Sequence, residues 1–278
     1  SILNVGIFPS QGIHFLLTRS FILNLILNQL LIVYYKNIIK QYYIINFMLI
    51  EKLLLFLERN IHQKRISKFL QNRSIKTIID VGAHKGEFAQ NAIQIKSVNK
   101  IIAFEPQKKI FEILKEKFVN NDKISLNNFA LSEKVEKKIM KINKMTATST
   151  LNHEINKNSL YFKFKSFLLY QKNSIISEEE IDTTTFDVFF NGKTFDPNTL
   201  LKIDTEGYEL HVLKGSNQKI KEVKYVLIEN QFSKMYKNVN FEDCHEFLKR
   251  KNFRLLKKFR FPTLHYEDRL YVNNLNDV

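Results

Sequence analysis

From about residue 75 onward, the apolar positions switch repeatedly between short β-branched runs and three- and four-residue spacings. Thr77–Val81 (TIIDV) reads as a buried strand, and after a glycine-containing turn Phe88, Ala92 and Ile95 continue at helical spacing. Lys100–Phe104 (KIIAF) predicts the next strand, followed by a helix through Ile110, Phe111, Leu114 and Phe118. Ile124–Ala130 reads as a third strand and Lys138–Ile142 as a short addition. Residues 143–180 are polar and irregular apart from the aromatic-basic patch Tyr161–Lys165. Leu200–Asp204 (LLKID) is another buried strand, with a helix from about Gly207 to Gly215 behind it. Tyr225–Glu229 is a strand and Phe241–Lys251 a helix, and Arg254–Phe259 with Tyr266–Val272 forms a terminal hairpin. Strands alternating with helices predict an α/β fold around a mostly parallel sheet, and the final pair adds an antiparallel edge.

The chain ahead of this pattern is of a different kind. Residues 1–47 contain no Asp, Glu or Ala, and the first acid is Glu51. Ser20–Tyr35 is apolar but short of the roughly 20 residues a membrane span needs, and Asn24, Asn28 and Gln29 interrupt it. No small-residue cleavage site follows, so a secretory signal fits poorly. A membrane-associating helix through residues 13–35, a docking helix and a non-native stretch remain as readings. The composition break favours Met48, which opens an amphipathic helix, as the natural start. The expected division is an extension over 1–47, a helical and basic lead-in over 48–74, and one catalytic domain over 75–278.

Composition changes this picture little. A net charge of +15 can draw nucleic acid, anionic lipid or an acidic small molecule. Abundant Lys, Ile, Asn and Phe beside 7 Gly, 4 Pro and no Trp is also what an A/T-rich coding sequence produces, and that bias outweighs a binding patch. The lone Cys244 excludes an intramolecular disulfide and a cysteine zinc cluster, and suits a reducing compartment. The histidines are scattered without an H-x-x-x-H pair, so no metal is expected.

The strongest local chemistry is Ile79–Gly86 (IDVGAHKG), a strand ending in a turn where Gly82 admits a ligand to the backbone and Gly86 opens the next helix. Glu105 ends the second strand, where an acid holds ribose hydroxyls. Two residues beyond Gly82 stands His84 rather than glycine, against a dinucleotide fingerprint, and no G-K-[ST] closes a phosphate loop. A turn of this kind suits S-adenosylmethionine (SAM) better than NAD.

The segments IDVGAHKGEF (79–88), FEP (104–106), NFALSE (128–133), TSTL (148–151), TFD (185–187) and LKIDTEGYELHVLKGS (201–216), with Ile228–Glu229, together resemble the FkbM methyltransferase family over about residues 75–275. The resemblance implies a Rossmann-like seven-stranded sheet with helices on both faces, SAM as cofactor, and O-methylation of a sugar, glycolipid or polyketide-like hydroxyl. It places Asp80, Gly82, Ala83 and Gly86 along the methionine end of SAM, Glu105 on the ribose, and Asn128 with Ala130 beside the adenine. Phe186 stands where the family more often has Leu, a core exchange.

The second cluster, Lys202–Glu209 (KIDTEGYE), puts Asp204 at the ligand-binding edge of the sheet. Capping of the next helix explains some of these acids, yet their number exceeds what one short helix needs. Asp204 or Glu206 is therefore the candidate proton acceptor, with Glu229 orienting the substrate. Rival readings are a nucleic-acid methyltransferase, disfavoured because I-D-T-E replaces the N/D-P-P-Y motif, and a SAM-binding accessory protein without turnover, disfavoured by the intact acids. The expected location is cytoplasmic, peripheral to the inner membrane face if residues 13–35 associate with it.

Overall fold

The computed structural model describes residues 56–143, 149–152, 175–231, 240–262 and 266–274, with scattered helical residues between 29 and 53. The Met48 start, the Tyr161–Lys165 patch and most of the stretch 13–35 lie outside the described residues. Two compact units divide the chain, residues 1–51 with 168–170 and residues 52–167 with 171–278. Among the described residues no helix is long and apolar enough to cross a membrane.

The second unit is built on strands β1 (Thr77–Val81), β2 (Lys100–Phe104), β3 (Ile124–Asn127), β7 (Thr199–Ile203), β8 (Tyr225–Gln231), β9 (Phe253–Arg260) and β10 (Tyr266–Asn273). They form a seven-stranded sheet in the order β3-β2-β1-β7-β8-β10-β9. All pairings from β3 to β8 are parallel, and β10 runs antiparallel to both β8 and β9. The terminal hairpin is present, but its second strand slots inside the sheet and leaves β9 at the edge. That edge carries exposed Arg254, Lys257, Lys258 and Arg260, charges that discourage pairing with another chain.

Helices α1 (Gln63–Gln71), α2 (Glu87–Ala92), α3 (Lys108–Lys117), α4 (Phe186–Phe189), α5 (Glu209–Lys214) and α6 (Phe241–Arg250) complete the layers. On one face Ile78, Leu200, Leu227 and Leu270 pack with Ile66 and Leu70 of α1 and Phe88 and Ala92 of α2. On the other, Ile79, Leu201, Ile203 and Ile228 pack with Val212 and Leu213 of α5 and Leu248 of α6. Each such aliphatic side chain taken wholly from water contributes about 1.5–3 kcal/mol. A π-helical turn, Glu58–His62, leads into α1, so the lead-in is a built part of this unit.

The third strand stops at Asn127, three residues short of the expected end, and Ala130 belongs elsewhere. β4 (Ala130–Leu131), β5 (Glu136–Asn143) and β6 (Ile175–Thr184) make a separate three-stranded sheet, with β6 central. The polar alternation of β6 (IISEEEIDTT) hid it from the apolar pattern, because a strand exposed on one face buries few side chains. Phe186 is fully buried in an aromatic cluster with Phe190 and Phe195, which confirms its place as a core residue.

Candidate active site

β1 has β2 on one side and β7 on the other, so the strand order reverses at the carboxyl end of β1, where open α/β sheets leave a crevice. The Gly82 turn and Asp204 flank that point. Gly82 has φ +82°, and an added Cβ would lie 1.8 Å from the Asp204 carbonyl oxygen. Glycine is thus required first by the close approach of two stretches of backbone, rather than by ligand space as the motif alone implies. Gly86, also left-handed at φ +73°, begins α2, where a Cβ would meet Phe118 and Leu114 of α3 and the residue after it at 2.4 and 2.7 Å. The turn's N–H groups are committed internally: those of Gly82 and Ala83 donate to the Phe104 carbonyl and that of Gly86 to Ala83.

Glu105 sits where an acid was expected and is almost completely buried. Its carboxylate accepts from the backbone N–H of His84 and of Gln107, both at 2.9 Å. Burial pushes its pKa upward, opposed by those two amide donors and by His84. Asn128 donates from Nδ2 to the carbonyls of Glu105 and Pro106, at 2.9 and 3.1 Å, and so fixes the loop that presents Glu105. Ala130 is buried in β4, opposite Thr183. Asp80 is fully buried beneath the turn.

Lys202 connects the two motifs. Its Nζ stands 3.1 Å from Asp80 Oδ1 and 3.2 Å from Asp204 Oδ2. Burial opposes its charge, but the two carboxylates win and raise its pKa. Asp80 therefore reaches the crevice through the Lys202 ammonium and the turn above it. The register Asp80↔Lys202 across β1 and β7 puts both side chains on one face of the sheet, and period-two alternation puts Asp204 there as well.

The three candidate catalytic acids do come together. Single carboxylate oxygens of Asp204, Glu206 and Glu229 all lie within 4.8 Å of one another. Gln231 Nε2 bridges two of them, at 2.6 Å from Glu206 Oε2 and 2.9 Å from Glu229 Oε1. Burial, with Asp204, Glu206 and Asp268 nearby, raises Glu229 well above the usual carboxylate range. Oxygens this close can share a divalent cation in principle. Here the Lys202 ammonium is the counterion on Asp204.

Capping does not explain the cluster. The backbone N–H groups of Thr205 and Gly207 donate to Glu209 Oε1, at 3.0 and 3.1 Å, so Glu209 holds the loop before α5. Asp204 and Glu206 are left for other work, with Glu206 held at φ +54°. Residues not singled out from sequence brace this loop. Thr150 Oγ1 donates to the Glu206 carbonyl at 2.8 Å, and Asn152 Nδ2 to that of Gly207 at 3.1 Å. The TSTL segment signalled Thr150, with residue 148 outside the described residues, whereas Asn152 follows that segment and had no signal. His84 (φ +48°) has its Nδ1 3.4 Å from Glu87, and His211 stacks on Tyr208.

Residues 80–255 match the profile of the methyltransferase FkbM domain. The FkbM methyltransferase of Methylobacillus flagellatus KT is similar at 16% identity and a TM-score of 0.46, over 72% of this chain and 44% of that one. TrmK of M. capricolum, in complex with S-adenosyl-homocysteine, is similar at 11% identity and a TM-score of 0.44, over 77% and 69% of the two chains. One curated relative, the chaperone SurA of Buchnera aphidicola, is 27% identical over 199 residues, 70% of this chain and 45% of its own. The chain thus spans less than half the length of SurA and of the M. flagellatus protein.

Proposed function

Given that the chain belongs to the FkbM methyltransferase family, we propose that it moves the methyl group of SAM to a hydroxyl of a sugar, glycolipid or secondary metabolite. The observation that carries the cofactor reading is the charge of the sheet's carboxyl edge. Asp204 and Glu206 gather at that edge, Glu105 follows the neighbouring β2, and the buried Lys202 beside them is already paired with Asp80 and Asp204. A pyrophosphate would meet carboxylates and backbone N–H groups that are already committed. A cofactor bearing a sulfonium and an ammonium group meets the opposite charge it requires.

When bound, SAM supplies an electrophilic methyl carbon. Glu105, braced by Asn128, would hold its ribose, and the Gly82–Gly86 turn would border its methionine end. The chain's task is to place the acceptor oxygen in line and remove its proton, and proximity supplies much of the acceleration. Asp204 or Glu206 accepts that proton, and Glu229 orients the acceptor. Exposed Tyr34, Tyr35 and Ile38 beside Lys36 support a contact with the inner membrane face, which would bring the site to a lipid-linked acceptor.

Calorimetric titration tests the cofactor reading, with SAM binding and NAD failing to bind as the expected result. NAD binding without SAM binding overturns it. Mass spectrometry of cell-envelope glycans with and without the protein then identifies the acceptor by a methyl-sized mass difference.

A further inference from the structure

A buried histidine–aspartate pair joins the π-helical turn to β10. His62, on the π-helical turn, is wholly buried, and its Nε2 lies 2.6 Å from Asp268 Oδ2 on β10. Phe261 and Tyr266 pack edge-on against the imidazole, with ring centroids 5.4 and 5.3 Å away. Its Nδ1 is buried with no hydrogen-bond partner. A bare ring nitrogen is cheaper to bury than an unpaired N–H, so the proton belongs on Nε2, donated to Asp268.

Asp268 is paired in register with Glu229 across β8 and β10. Directly opposite residues of an antiparallel pair project from the same face, with Cβ atoms about 4.5–5.5 Å apart. Because β10 runs antiparallel, its beginning reaches the edge where β7 and β8 end, and a residue outside the matched domain thereby enters the site.

We propose that His62 is a positioning residue of the acceptor site: it holds Asp268 as the carboxylate opposite Glu229, and the pair keeps Glu229 a neutral acid that donates a hydrogen bond to the acceptor. The inference rests on the methyl-transfer reading, in which Glu229 orients the acceptor. The groups around Glu229 agree with it. Asp204 and Glu206 face it from β7 and the following loop, Asp268 from β10, and Gln231 donates from its own strand. Tyr266 hydrogen-bonds Glu58 of the lead-in, and Lys202 is spent on Asp80 and Asp204. With three carboxylates and no free cation described around it, Glu229 is the member that keeps a proton. A neutral acid beside an ionised one gives an acceptor hydroxyl both a donor and a base.

The test is a carbon-13 NMR titration of the Glu side-chain carboxyls in the full chain, with Glu229 assigned by Glu229→Gln. Glu229 should remain protonated at pH 7. Asp268→Asn should lower its midpoint by about one unit or more, the order set by removing a like charge nearby. His62→Phe should lower it as well, since it removes the hydrogen bond that holds Asp268 in place opposite Glu229. His62→Gln, which keeps a donor, should restore the wild-type value. Nitrogen-15 shifts of His62 should report the Nε2–H tautomer. A Glu229 ionised at pH 7, a midpoint unmoved by Asp268→Asn, or an Nδ1–H tautomer overturns the proposal. Should His62→Phe fail to fold, Asp268→Asn and the His62 tautomer decide it. Calorimetry on the same samples separates the two readings, because lack of SAM binding sinks the cofactor and leaves the titration standing.

Discussion

The Lys202 ammonium lies 3.1 Å from Asp80, with the two side chains 5% and 0% exposed. Such a pair is costly to halve. Lys202→Met leaves Asp80 as an uncompensated buried charge and should destabilise the domain by about 3–5 kcal/mol in urea unfolding. Adding Asp80→Val to that variant removes the orphan and should recover most of the loss. Equal instability in the double variant would mean that the packing of the Lys202 stem, and not its charge, matters.

Gly82 and Gly192 share a left-handed backbone, at φ +82° and +71°, but not surroundings. A Cβ at Gly192 meets nothing within 4 Å, whereas at Gly82 it meets the Asp204 carbonyl at 1.8 Å. Gly192→Ala should therefore cost only the backbone penalty of about 1–2 kcal/mol. Gly82→Ala should separate the ends of β1 and β7 and abolish the cooperative melt followed by circular dichroism. A folded Gly82→Ala protein would show that the turn relaxes more easily than its contacts imply.

Asp204→Asn and Glu206→Gln test the proton acceptor. Glu209 holds the loop before α5, so neither change removes a cap; Glu206→Gln should melt near wild type, whereas Asp204→Asn also withdraws one of the two carboxylates on Lys202 and should melt somewhat lower. Turnover on an identified acceptor should fall by about a hundredfold or more in one of the two. Near-wild-type turnover in both would remove the assignment.

Glu87 gives a pH signature. His84 holds its carboxyl at about 2, below the ordinary 4.5, although burial works the other way. A depressed folded pKa contributes stability that is complete above 4.5 and is lost as pH falls from there towards 2. The interval corresponds to roughly 3 kcal/mol. Glu87→Gln should flatten the fall in unfolding free energy between pH 4.5 and 2.5 and lower stability at pH 6. An unchanged acid limb would mean that His84 and Glu87 do not interact in solution.

What the sequence disclosed, and what it hid, follows from geometry. Asp204 follows β7 and Glu229 lies near the end of β8, and parallel strands deliver their ends to one edge, so their meeting could be read from order alone. Glu209 could not be told from Glu206 as the loop's holder, because the choice rests on the positive φ values of Glu206 and Gly207. Asp268 stayed hidden because only the insertion of β10 beside β8 sets it against Glu229. The available signal was a pair of acids, Glu267 and Asp268, at the head of a strand that continues into the apolar run Leu270–Val272. His62 lay in a segment that read as an ordinary amphipathic lead-in.

The position of β10 also governs how the chain can be made. β8 and β9 leave between them a slot that residues 266–273 fill, and these follow the other described strands in the sequence. Until they emerge, β8 presents an unpaired edge and Glu229 has no Asp268 opposite. The nascent chain must carry that open seam until residues 266–273 have emerged, so the acidic crevice is completed only after the other strands of this sheet are in place.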